Sequence, residues 1–233
     1  MLYWRKEKWI QRFVTGKKVL DLGCVDHDLD RTDRPWLHAF IRQHAASVLG
    51  VDCLPEAIDQ LRQRGFDAVC ADVQTMDLGR TFDVIVAGDL IEHLSNPGLF
   101  LARVKAHLAA GGVFLVTTPN PVTFLRFLRA LVSGKTHANK QHTCWFSSKV
   151  LCHLASRYGF EVADESYVDD TRFSYRIVRR APGPEGKRGL LRTVGFVLRR
   201  LAWQPAVLIG SLLCLLRPRL AETLCLALKL GQH

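Results

Sequence analysis

The stretch KKVLDLGCVDHD, Lys17–Asp28, decides how the rest of the chain is read. Val19, Leu20 and Leu22 form a short apolar run that is marked by Asp21, closed by Gly23 and followed by a polar loop. Such a run reads as a buried parallel strand bringing its C-terminal end to a ligand site, because ligands of open α/β sheets sit outside the carboxyl ends of the strands.

Working outward, the same punctuation repeats. SVLGVD (Ser47–Asp52) is a second apolar strand ending in an acid, Phe66–Ala71 a third ending at Asp72, FDVIVAGD (Phe82–Asp89) a fourth and Val113–Thr118 a fifth. Helical segments fall between them. Pro35–Ala46 carries proline in its first turn, where no N–H is needed, Pro55–Arg64 stops at Gly65, and Asn96–Ala110 closes at Gly111–Gly112. Strands alternating with helices predict a doubly wound, mostly parallel α/β sheet. An amphipathic helix opens the chain before Lys17, and a further helix, Ser147–Tyr158, precedes Phe160–Tyr167 and Arg172–Arg179, which are close enough in sequence to pair antiparallel at one edge. Residues 119–146 form an insertion holding TFLRFLRALV and a polar loop, and APGPEGKRG (181–189) reads as a linker to a basic, apolar helical tail, 190–231.

The net charge of +10 is concentrated at the ends. Residues 1–20 carry six Lys/Arg against one acid, and residues 186–233 carry eight against Glu222 alone, whereas 21–185 hold 18 basic and 20 acidic residues. A near-neutral body argues against a nucleic-acid groove, so no nucleic-acid partner is expected, and the basic ends suit an anionic surface. Seven scattered cysteines without a CxxC pair indicate reduced thiols and a cytoplasmic setting, and the first residues lack the apolar core of a signal peptide.

Asp21, Asp52 and Asp72 end three successive strands and would line one crevice if those strands are neighbours, with Gly23 allowing close backbone approach to a ligand. An acid about 30 residues after the first strand is placed to accept two ribose hydroxyls, so nucleoside binding is the leading reading. The alternative for each acid is a helix cap.

VLDLGC, LGVD, ADVQTMDL and FDVIVAGDLIEHLSNPGLFLARVKAHLAAGGVFLVTTPN, in that order and spacing, resemble the successive motifs of class I S-adenosylmethionine-dependent methyltransferases. The EHL segment and the paired glycines are similar to the small-molecule enzymes of the ubiquinone-biosynthesis type, and the likeness spans roughly residues 17–180. It implies a seven-stranded Rossmann-like sheet with a C-terminal antiparallel edge pair and S-adenosylmethionine as cofactor. It further implies that Asp21 and Gly23 border the methionine part, that Asp52 holds the ribose, that Leu54 packs on the adenine face and that Asp72 with the Val73 backbone meets the adenine. Asp89 would face the cofactor's amino-acid end or the acceptor. The family's first loop runs Gly-x-Gly-x-Gly, whereas here Val25 stands at the second glycine and Asp26, His27 and Asp28 follow. The loop is therefore either rebuilt around the cofactor, bringing Asp26 and His27 to it, or no longer binds; His27 could equally be a solvated loop residue.

The candidates for a base are Asp89, His93 and His142. Glu92 and His93 could instead brace the following helix. His142, Cys144, Cys152 and His153 have the donor types for zinc but fit no standard finger, so no metal is expected, and His38 reads as a packed or surface histidine. LAWQPAVLIGSLLCLL (Leu201–Leu216) is uncharged, with arginines on both sides, but Pro205 divides it and it is too short to span a bilayer of about 20 helical residues. With LLRTVGFVLRRLAW before it, the tail suits the membrane interface, which points to a peripheral position on the inner membrane face and a small-molecule or lipid-linked acceptor. The rival readings are an RNA methyltransferase, a non-catalytic assembly or membrane module that keeps the fold, and, more weakly, a dehydrogenase.

Overall fold

The computed structural model describes residues 1–25, 36–135, 139–169 and 204–231. Eight strands form one sheet: β1 (Leu2–Tyr3), β2 (Lys18–Leu22), β3 (Ser47–Asp52), β4 (Ala68–Cys70), β5 (Phe82–Gly88), β6 (Leu108–Pro119), β7 (Phe160–Val168) and β8 (Thr223–Leu230). Their spatial order is β1-β7-β8-β6-β5-β2-β3-β4, with β8 alone antiparallel to its neighbours β6 and β7. The helices are α1 (Lys6–Val14), α2 (Leu37–His44), α3 (Pro55–Gln63), α4 (Pro97–His107), α5 (Phe124–Ser133), α6 (Ser148–Arg157) and α7, described over 204–216.

The apolar runs lie in the sheet because both of its faces are covered. On one face Trp9, Ile10 and Val14 of α1 and Ile41 of α2 pack on Val19, Val84, Val86, Leu115, Cys225 and Ala227. On the other, Phe100, Leu101 and Val104 of α4 with Leu151 and Ala155 of α6 pack on Leu20, Leu22, Ile85, Phe114, Val116, Leu226 and Leu228. Strand residues of alternating number serve opposite faces, as a pleat requires.

The expected fold class holds, with three corrections. The sheet has eight strands rather than seven, because Leu2–Tyr3 adds parallel to the end of β7 and takes the outer edge. β7 pairs antiparallel with Thr223–Leu230, whereas Arg172–Arg179, expected to be its partner, lies outside the described residues. The tail expected to be helical through residue 231 is helical over 204–216 and then becomes β8, an interior strand. TLCLALKL resembles part of an apolar helix in sequence, but its first six residues are all buried because it is flanked by strands and covered on both faces. Finally, β6 begins at Leu108, so Gly111 and Gly112 lie within the strand rather than before it, next to a register shift between Phe82 and Val84.

The 119–146 insertion is held at both of its ends. Asn120 Nδ2–H donates to the carbonyls of Arg219 and Ala221, both at 2.8 Å, tying the end of β6 to the chain entering β8. Thr123 caps α5 by accepting from the Arg126 amide at 3.2 Å, and Gly134, in the left-handed region at φ 64°, ends it. Beyond it, the Thr143 amide donates to the Glu92 carbonyl at 2.8 Å and its hydroxyl to the Leu94 carbonyl at 2.7 Å, which places residues 142–145 over the 91–94 turn.

Candidate active site

The carboxyl ends of β2, β3, β4 and β5 lie side by side, as the strand order requires. Gly23 follows β2 with φ 72°, and a Cβ there would stand 3.1 Å from Leu90. Both reasons call for glycine. The loop after Gly23 is clamped to β3: the Gly23 and Cys24 amides donate to the Val51 carbonyl at 2.8 and 3.2 Å, and the Val25 amide donates to Asp52 Oδ2 at 3.1 Å. Among the described residues Asp89 is the only non-glycine with positive φ, so Val25 follows a path that a branched residue adopts without strain. Asp26 and His27 lie outside the described residues.

The three strand-end acids have different surroundings. Asp21 is 2% exposed and accepts from His38 Nδ1–H at 2.8 Å, an enclosed pair that fixes α2 above the end of β2. His38 is thus a packed histidine, flanked by the rings of Trp36 and Phe66 at 5.3 and 5.5 Å. Asp52 accepts one amide on each oxygen, from Val25 and from Leu54 at 3.3 Å, and each oxygen keeps a lone pair for a ligand hydroxyl. Asp72 is exposed and accepts the Gln74 amide at 2.8 Å; Gln74 Oε1 in turn accepts from the Asn96 amide at 2.7 Å, joining the β4 loop to the start of α4. Val73 buries its side chain in the core, leaving its backbone to the crevice, while Leu54 is 43% exposed at the start of α3. A glycine cradle, a carboxylate at a strand end and an exposed aliphatic side chain beside it fit the ribose and the base of a nucleoside.

The neighbouring end of the crevice is titratable. Asp89, at φ 52°, pairs with Lys6 from the first turn of α1, and its Oδ1 accepts from the Thr117 hydroxyl at 2.9 Å. Left-handed backbone at a non-glycine residue costs about 1–3 kcal/mol and is retained where surrounding contacts fix it. One turn further, Glu92 is 1% exposed; its Oε2 accepts from the Thr118 hydroxyl at 3.0 Å and its Oε1 has no partner. Burial pushes its carboxyl up to about 7; the Asp89 charge adds to this, and bonds from its own backbone and Thr118, together with the Lys6 ammonium, oppose it. His93 and His142 meet edge to face at 4.7 Å. Burial, His93 and Arg126 all hold His142 below the ordinary imidazole range, so it is neutral at pH 7, and its Nδ1 is buried without a partner. Arg126 of α5 stacks over the Trp145 ring at 5.2 Å and completes this wall.

His142 is therefore brought, from about 50 residues away in sequence, to the Asp89–His93 turn. Glu92, His93 and His142 each bring a donor atom within 4.8 Å of the others, a set that could hold a divalent cation. Cys144 turns its thiol to the carbonyls of Ile91 and Glu92 instead. Sequence reasoning left Lys6, Arg126 and Trp145 out of the site. Lys6 lies 83 residues from its partner, and nothing in the local pattern of α1 signals that pairing.

A family model described as a methyltransferase domain matches residues 4–165. The chain belongs to the S-adenosylmethionine-dependent methyltransferases, and S-adenosylmethionine is its cofactor. It is 30% identical over 171 residues to a probable S-adenosylmethionine-dependent methyltransferase of Mycolicibacterium smegmatis, covering 70% of this chain and 61% of that one. It is 32% identical over 113 residues to a ubiquinone biosynthesis O-methyltransferase of Nitrobacter winogradskyi, covering 46% and 40%. The chain thus spans between about two fifths and three fifths of these curated relatives. The magnesium protoporphyrin IX methyltransferase of Synechocystis, solved with bound S-adenosylhomocysteine, shares the fold at a TM-score of 0.58 and 10% identity, over 97% of this chain and 80% of that one.

Proposed function

We propose that this methyltransferase acts on the oxygen of a small, lipid-like acceptor and that it works at an anionic membrane surface. The observation that carries the reading is the continuity at Gly23: the glycine of the nucleoside cradle lies against Leu90, and the residues on either side of Leu90 hold the titratable cluster. The carboxylate of Asp52 would hold the ribose, Leu54 would cover one face of the adenine, and Asp72 and the Val73 backbone would meet its edge. S-adenosylmethionine supplies an electrophilic methyl on a sulfonium that leaves as a neutral thioether.

Positioning and exclusion of water are left to the protein, along with removal of one proton from a neutral acceptor. As the acceptor oxygen bonds to the methyl carbon, the carbon–sulfur bond breaks, and the acceptor's proton passes to His142, to His93 or to Asp89. His142 is the best placed of the three, because it is neutral at pH 7 and has an unpartnered ring nitrogen. An oxygen acceptor is favoured by the relatives named as O-methyltransferases, and a lipid-like one by the apolar side chains that α5 of the insertion, and α7 packed on it, expose.

The test is incubation of the full chain with methyl-labelled S-adenosylmethionine and either a total lipid extract or an aqueous metabolite extract. The expected result is enzyme-dependent label in the organic phase, reduced at least about tenfold by His142→Ala. Label in the aqueous products alone would overturn the lipid-like acceptor.

A further inference from the structure

The apolar surface beside the site has an unusual distribution. In α7 the buried positions are Val207, Gly210, Ser211 and Cys214, while Leu208, Ile209, Leu212, Leu215 and Leu216 face outward. An ordinary surface helix is arranged the other way round, with its large aliphatic side chains inward and charges outward. Residues 204–216 contain no charge at all. Gly210 permits close packing on α5, since a Cβ there would stand 3.3 Å from the Phe124 ring. Continuing the same surface, α5 buries Leu125 alone and exposes Phe127, Leu131 and Val132 by 66–69%. Eight large aliphatic or aromatic side chains are therefore presented outward by two helices in contact, more than scattered surface residues account for.

The charge around this face has one sign. Residues 119–146 contain Arg126, Arg129, Lys135 and Lys140 and no acid, and residues 204–221 contain Arg217 and Arg219 and no acid. Arg126 and Arg219 make ion pairs with Glu222 and Glu165, while Lys135, Lys140 and Arg217 are exposed. An apolar face bordered by cations complements a bilayer with anionic headgroups: the aliphatic side chains enter the acyl boundary and the cations stay at headgroup level. The 13 described residues of α7 extend only about 20 Å, against a hydrocarbon core of about 30 Å, and no helix among the described residues is long and apolar enough to cross a membrane. The helices fit lying in the interface.

We infer that the outer faces of α5 and α7 together form the surface by which the enzyme docks on an anionic bilayer, and that the acceptor enters the active site from that surface past Arg126 and Trp145. This deepens the proposed function and rests on it for the acceptor. It also replaces the whole 190–231 tail as the docking element, because 223–230 belongs to the sheet interior. The entry route follows from adjacency. Phe127, on the outer face, neighbours Arg126, which stacks on Trp145, three residues from the His142 ring that meets His93 at the site wall.

The experiment is co-sedimentation of the full chain with phosphatidylglycerol/phosphatidylcholine vesicles and with phosphatidylcholine vesicles, for the natural chain, Leu131→Glu and Leu212→Glu. Circular dichroism checks the fold of each, and calorimetry with S-adenosylhomocysteine checks the cofactor pocket. The expected result is binding to the anionic vesicles that weakens with added salt and falls at least about tenfold in each variant, with fold and cofactor binding unchanged. Absence of vesicle binding by a chain that binds S-adenosylhomocysteine would overturn the docking surface and leave the methyltransferase reading intact. So would vesicle binding that neither variant reduces, or sedimentation as a dimer that both variants turn into a monomer, which would assign the face to a second copy.

Discussion

The crevice at the ends of β2, β3 and β4 and the wall made by the 89–93 turn, α5 and residues 142–145 are built on opposite plans. In the first, each functional group lies within a few residues of a strand end, and the backbone holds it: Gly23, Cys24 and Val25 are all bonded to Val51 or Asp52. The second is assembled from residues 6, 89–93, 126, 142 and 145, joined through side chains. On the proposed function, such a division would let one scaffold keep its cofactor site while its acceptor site diverges, since changing a side-chain wall leaves the sheet intact.

Substitutions sharpen this contrast, beginning with those that should cost most. Leu226→Ala in β8 removes a fully buried side chain from the sheet interior and should cost about 2–5 kcal/mol in denaturant unfolding. If β8 were instead part of a loosely attached tail, the cost would be near zero. The side-chain wall should show itself next, through pH. The folded Glu92 carboxyl is raised to about 7 from an unfolded value near 4.5, so the folded state holds its proton more tightly. Its stabilising contribution is full below about pH 4.5 and is lost as pH rises through 7, by at most about 3 kcal/mol. Glu92→Gln should flatten the pH dependence of unfolding across that window, and an unchanged slope would remove Glu92 as its source.

Gly23→Ala should cost about 1–2 kcal/mol of stability, because φ is 72° and the added methyl meets Leu90, and it should also weaken S-adenosylhomocysteine binding. Leu212→Ser, on the outer face of α7, should change the unfolding free energy of the free protein by no more than about 0.5 kcal/mol. A larger loss would show that this face is covered within the chain.

How legible each region was follows from the same contrast. The parallel strands were read from runs such as VLDL and FDVIVAG because a strand covered on both faces must be apolar throughout, and their acids were read because the strand ends are local features. β8 was missed for that same reason: an apolar run with leucine at alternate positions does not distinguish a buried strand from a buried helix, and its partners lie more than 50 residues away. At the site, His93 and His142 were named from residue type, but their meeting depends on Thr143 bonding across the 91–94 turn, which no local periodicity encodes. The left-handed backbone of Asp89 was equally hidden, although Asp after Gly at a strand end is a residue type that tolerates it.

The central claim is that the β2–β4 crevice holds S-adenosylmethionine, with Asp52 on its ribose, even though Val25 stands where the family has glycine. Calorimetric titration of the full chain with S-adenosylmethionine and S-adenosylhomocysteine, beside Asp52→Ala and with NAD as control, tests it most directly. The account predicts binding in the micromolar range, weakened about a hundredfold in the variant by the loss of two charge-assisted hydrogen bonds, and none for NAD. A folded chain that binds neither cofactor form, or an Asp52→Ala variant that binds as tightly as the natural chain, would contradict it.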